Sequence, residues 1–111
     1  MAKPLFDSKS IEHANLLAAI PVESGGIVSK PLIDTGPLKQ VLFAIDAGQD
    51  ISEHTSPFVA TVHVLDGFLR FEVEGRTHEM GPNDWLVMPP NATHSLKALA
   101  PVRMLLTLVK A

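Results

Sequence analysis

Apolar residues in this chain fall in short runs, cut by nine prolines and seven glycines into pieces of about five to nine residues. That spacing suits strands better than helices. The pattern predicts eight strands, over residues 27–33, 39–47, 59–65, 68–73, 76–80, 85–88, 94–99 and 102–109. Turn signals separate them: Asp34-Thr35-Gly36-Pro37, Ala47-Gly48, Asp66-Gly67, Glu74-Gly75, Gly81-Pro82-Asn83-Asp84 and Pro89-Pro90-Asn91. Eight such strands predict an all-β fold of the jelly-roll barrel type.

Within 68–73, strict alternation sends Leu69, Phe71 and Val73 to one face and Phe68, Arg70 and Glu72 to the other, the pattern of a half-buried hairpin arm. By contrast, Val41 to Ile45 and Met104 to Val109 are apolar on both faces, so something must cover their outer side. Two covers are open. A two-fold partner packing sheet against sheet makes the protein a homodimer; otherwise the N-terminal segment folds back over that face. The N-terminal stretch is readable as a short helix, capped by Ser10, running through Ile11, Leu16, Leu17 and Ile20 and stopped by Pro21, or as an irregular extended segment. Residues 1–25 are therefore taken as an extension packing on the barrel and 26–111 as the barrel domain. No repeat or low-complexity segment calls for a second domain.

A chain of 111 residues, 46% apolar, has enough side chains for one core. Nine Lys+Arg against twelve Asp+Glu give a net charge of −3 with no basic run, which argues against nucleic acid as a partner. No stretch is long enough for a membrane span or a secretory core, so a soluble cytoplasmic protein is expected. The absence of cysteine removes disulfides, thiolate metal sites and a cysteine nucleophile. Any metal must be held by histidine, carboxylate or water.

Two histidines stand in punctuated contexts far apart in the chain. One lies in His54-Thr55-Ser56-Pro57, followed by Val64-Leu65-Asp66-Gly67. The other closes Gly81-Pro82-Asn83-Asp84 through Pro89-Pro90-Asn91-Ala92-Thr93-His94. Over residues 40 to 109 these two blocks resemble the paired motifs of the cupins, and of their small stand-alone conserved-barrel members in particular. In the first motif Gly48, His54, Pro57 and Val64-Leu65-Asp66-Gly67 match in order and spacing, while Ser56 stands for a second histidine and Ala60 for a glutamate. In the second motif Gly81, Pro89 and His94 match, with Asn91 in a glycine position; asparagine tolerates the left-handed backbone such a turn needs.

The resemblance implies a barrel holding one divalent metal (iron, nickel, zinc or manganese), with His54 and His94 as the two retained ligands of four. Water, substrate or a further side chain must complete the shell. The alternative is a polar pocket in which the two histidines bond to each other or to water. Ser56 either donates to a ligand or fills the space of an imidazole. His63 is a further candidate, but alternation puts it with Thr61 and Leu65, opposite Ala60, Val62 and Val64, so it points outward unless a bulge intervenes.

His13 and His78 read as surface residues. Trp85 reads as a packing or subunit-contact residue, with a stacking role for a cyclic ligand as the alternative. No nucleophile elbow or phosphate loop is present, and no catalytic residue is assigned. Two functions follow. One is a metal-dependent dioxygenase or isomerase of an oxygen-rich metabolite; the other is a non-catalytic metabolite-binding or sensory barrel.

Overall fold

A computed structural model describes residues 3–110. Met1, Ala2 and Ala111, the ends of the two expected segments, lie outside the described residues. One helical turn, α1 (Leu16–Ala19), precedes nine strands: β1 (Ile27–Asp34), β2 (Leu38–Ile45), β3 (Asp50–His54), β4 (Val59–Asp66), β5 (Leu69–Val73), β6 (Arg76–Met80), β7 (Trp85–Met88), β8 (His94–Ala98) and β9 (Val102–Val109). They form two antiparallel sheets, β1-β2-β9-β4-β7 and β3-β8-β5-β6. The all-β jelly-roll expectation holds.

Eight strands fall where the apolar pattern puts them, within one or two residues at their ends. β3 was not predicted. Its sequence, Asp50-Ile51-Ser52-Glu53-His54, has a single apolar residue and no clean alternation, and it is a strand because it pairs with β8.

The sheets face each other across one core. Ile45, Ala60, Val62, Val64, Met88, Val102 and Met104 of the five-stranded sheet meet Leu69, Phe71, Met80, Leu96 and Ala98 of the other. On β5 the expected alternation is realised: Leu69 and Phe71 are buried while Arg70 and Glu72 are exposed.

The outer face of β2 and β9 carries a second core. Leu42 and Ala44 are buried there with Leu32, and what covers them is the chain itself: Phe6, Leu16, Ala19, Ile20 and Val22 pack onto this face. Of the two covers left open by the sequence, the N-terminal segment occupies this part of the sheet. Asn15 caps α1, its side chain accepting from the amides of Leu17 and Ala18. The expected cap, Ser10, instead donates its hydroxyl to Asp7, and Ile11 is fully exposed. A turn of four residues has little stability of its own and is held by the burial of Ile20 and Leu16.

Arg103 fastens this segment to the barrel. Its Nε donates to the Ile20 carbonyl at 2.8 Å and its Nη1 to Asp66 at 2.9 Å, and the other Asp66 oxygen accepts the Arg103 amide. Asp66 opens the turn at Gly67, where φ is +84° and a Cβ would collide with the Pro101 carbonyl. Both conditions require glycine. Gly67→Ala is expected to destabilise the fold by more than about 1 kcal/mol in equilibrium urea unfolding.

Asp46 accepts the amides of Gly25 at 2.7 Å and Ala47 at 2.8 Å, tying the start of β1 to the end of β2. These bonds hold its carboxyl below the ordinary value. Asp34 is held low in the same direction, by Lys110 first and the Gly36 amide next. A carboxyl whose folded pKa is depressed adds stability above its ordinary pKa, and that stability is lost as pH falls through the folded value. Asp46→Ala should therefore flatten the acid limb of the stability profile, measured by urea unfolding from neutral to strongly acid pH.

Candidate functional site

β3 and β8 lie side by side, and their pairing brings the two motif histidines together. Ile51 faces Leu96 and His54 faces His94, so three steps along β3 match two along β8. Residues three apart on a regular strand point to opposite faces. The extra residue at Ser52 or Glu53 is a β-bulge that returns His54 to the side of Ile51, which packs on the interior core. His94 shares its face with the buried Leu96 and Ala98. The two imidazoles meet edge to face with ring centroids 4.1 Å apart.

Each ring is oriented from behind. His54 Nδ1 lies 2.8 Å from the Ser52 carbonyl and His94 Nδ1 lies 2.9 Å from the Ala92 carbonyl. A carbonyl oxygen only accepts, so both Nδ1 atoms carry the proton, and in the neutral rings both Nε2 atoms keep a free lone pair. Backbone carbonyls holding the far nitrogen are the usual supports of metal-binding imidazoles. His94 stacks on Phe71, 5.9 Å between centroids and 15° between planes, which seats its half-buried ring on the core. His54 is exposed, so the pair sits at an open rim of the barrel.

Loops 55–58 and 89–93 frame the pair. Pro89 to Ala92 forms a turn closed by the Ala92 amide on the Pro89 carbonyl, with Asn91 at φ +68°, the left-handed geometry expected for it. The Asn91 amide donates to the Ser56 carbonyl at 2.7 Å, joining the two motifs directly. The Ser56 hydroxyl accepts the Phe58 amide at 3.3 Å, so it works within its own loop.

His63 has the outward position that alternation predicts. It lies between Trp85 and Leu105 on the outer face of the five-stranded sheet, away from His54 and His94. Ala60 is buried on the inner face, where it offers no donor. His13 and His78 are exposed.

Among the described residues no group of three or more His, Asp or Glu side chains is placed to hold a metal. Two neutral imidazoles with supported Nδ1 atoms are chemically suited to a borderline divalent ion, provided that water or substrate fills the other positions. The donor set fits an exchangeable ion rather than a permanently held one.

Glu74 was missed by the sequence reading. It sits at φ +49° in the β5–β6 turn, and its amide donates to the Thr93 carbonyl. Its carboxylate accepts the Thr93 hydroxyl and amide. The residue preceding His94 is thus held through both backbone groups and its side chain. A turn reading of Glu74-Gly75 carries no sign of this, because the partner is nineteen residues away.

Residues 41–109 match the cupin domain family, and the chain belongs to that family. Comparison with curated protein sequences finds no match. Among solved structures, a conserved protein of unknown function from Streptococcus pyogenes is 32% identical, with 91% of each chain covered and a TM-score of 0.83. A Ralstonia eutropha protein provisionally assigned as a mannose-6-phosphate isomerase is 28% identical, covering 91% of this chain and all of its own, with a TM-score of 0.79. KdgF from a Halomonas species is 26% identical over 83% of this chain and 86% of its own, with a TM-score of 0.72. The relatives thus include both a protein of unknown function and one of isomerase assignment.

Glu74→Asn tests the anchor at Thr93 while keeping a residue that tolerates positive φ. Amide hydrogen exchange at Thr93 is expected to accelerate by about tenfold, the loss of roughly 1 kcal/mol of hydrogen bonding, and the His94 ring resonances should shift.

Proposed function

We propose that this cupin acts on a small oxygen-rich metabolite as an isomerase, with His54 and His94 as the ligands of one exchangeable divalent metal at the barrel rim. The observation that carries the proposal is the paired orientation of the two rings, each with Nδ1 tied to a backbone carbonyl and Nε2 free. The isomerase direction is supported by the assignment of the Ralstonia relative. A divalent ion there supplies Lewis acidity toward a carbonyl or enolate oxygen.

The chain's own part is positional. Phe71 and the Ala92 carbonyl fix the plane and tautomer of His94; the β3 bulge and the Ser52 carbonyl do the same for His54. The exposed side of His54 leaves room for a hydroxylated substrate to reach the site from solvent.

A second reading, a non-catalytic metabolite-binding barrel, is favoured by one specific observation: buried Ala60 and the internally bonded Ser56 stand where the family has two further ligands. Metal content by plasma mass spectrometry, for the wild type and for a His54→Ala, His94→Ala double variant, separates the two. Metal approaching one per chain after incubation with iron, nickel, zinc or manganese, and absent from the double variant, is the expected outcome. No metal in either protein, together with metabolite-induced thermal stabilisation that survives chelation, would establish the second reading instead.

A further inference from the structure

The mouth of the barrel carries a charge that the histidine pair does not account for. Residues directly opposite on antiparallel strands project to the same face, so the register sets out what borders the opening. In the four-stranded sheet the row runs His54, His94, Val73, Arg76, from β3 to β6. In the five-stranded sheet it runs Lys39, Leu108, Ala60, Met88, from β2 to β7. Loop 55–58 follows His54 and leads into β4, and loop 89–93 leads from Met88 to His94, so both rows border the same end of the barrel. Both point inward, since Ala60 and Met88 are buried in the core and Val73 and Leu108 pack against it. One step deeper the row is Leu96, Phe71, His78, so His78, although exposed, also belongs to the inward face.

Charge is sorted between the two faces of the four-stranded sheet. Its acids lie on the outer side: Asp50, Glu53 and Glu72 line a surface hollow with Arg70 and Lys97, and Glu79 approaches Arg70 at 3.9 Å. Of the three arginines, Arg103 is paired with Asp66 and Arg70 with Glu79. Arg76 is exposed and makes no ion pair among the described residues. The carboxylate of Glu74, two residues before it, is engaged by the Thr93 hydroxyl and amide. Across the mouth Lys39 faces Asp34, which is bonded to Lys110 at 3.0 Å. Among the described residues, the guanidinium of Arg76 is thus the charge at this opening without a counter-ion.

We propose that Arg76 is the anion-binding residue of this site. The metabolite is then a small hydroxylated acid or phosphate ester, with its anionic group on Arg76 and its hydroxyl or carbonyl oxygens at His54 and His94. Neighbouring strands lie about 4.8 Å apart, so the backbones of Arg76 and His94, two strands from each other, are separated by about 10 Å. The long arginine side chain and a sugar-sized ligand together bridge that gap. A guanidinium presents parallel N–H donors that match two oxygens of a carboxylate or phosphate, and this fixes which end of the ligand faces β6. Val73, between the two ends, offers no competing polar group. The inference rests on the reading of His54 and His94 as the site and adds the charge class of what binds there.

Titration of the full chain with gluconate, glucose-6-phosphate and uncharged sorbitol, followed by amide chemical shifts, tests the proposal on zinc-loaded protein and on protein dialysed after chelation. At least one of the anions is expected to bind about tenfold or more tighter than sorbitol and to move the Arg76 Nε–H and His94 signals. The tighter of the two tells carboxylate from phosphate. Arg76→Gln should remove the preference and Arg76→Lys should retain part of it. Arg70→Gln, on the outer face, should leave it intact, with zinc content and melting temperature unchanged in all three variants. Anions that bind no tighter than sorbitol, or a preference that persists in Arg76→Gln, overturn the inference. Zinc retained without the preference overturns this inference alone. A preference that depends on Arg76 in protein unable to hold zinc upholds it and overturns the metal reading.

Discussion

The structure depends on one constraint: β2 and β9, adjacent in the five-stranded sheet, are apolar on both faces over much of their length, and both faces must leave water there. The four-stranded sheet meets the inner face, and the N-terminal segment meets the outer face at β2. Burying Ile20 there brings a backbone carbonyl into an apolar layer, where an unpaired polar group is costly. Arg103 removes that cost, reaching from β9 to the Ile20 carbonyl while paired with Asp66. Asp66 in turn introduces the glycine turn that lets β4 pass into β5. The extension, the barrel and the first motif's closing turn are therefore one connected structure.

The candidate site follows from local departures from regular strand geometry. Without the bulge in β3, His54 would face away from the core and from His94. Without left-handed Asn91, the loop before His94 would not present its amide to Ser56. Glu74 holds the far side of that loop from another left-handed position. Two left-handed residues and one β-bulge thus surround the histidine pair, where they orient it without requiring burial of charge.

A rim with two supported imidazoles and, among the described residues, no third acidic or histidine ligand is a sparse version of the site implied by the family resemblance. The fold is shared with a protein of unknown function and with one of isomerase assignment, and a reaction on such a scaffold resides in a few side chains rather than in the fold.

By itself, the sequence determined the fold class and eight of the strands, because alternation and turn residues are local properties, read within a few positions. It also selected His54 and His94, since their punctuated surroundings are contiguous motifs, and it placed His63 on the outer face by counting from Ala60. Only the tertiary structure decided the rest. β3 is polar and is a strand by virtue of β8; the bulge that turns His54 inward is a mismatch between two strands some forty residues apart; Glu74 acts on Thr93 across a turn that looks ordinary. The cover of β2 was ambiguous for the same reason. A two-sided apolar strand states that its outer face is buried, but not by which segment, because burial is a relation between parts of the chain that periodicity within one part does not contain.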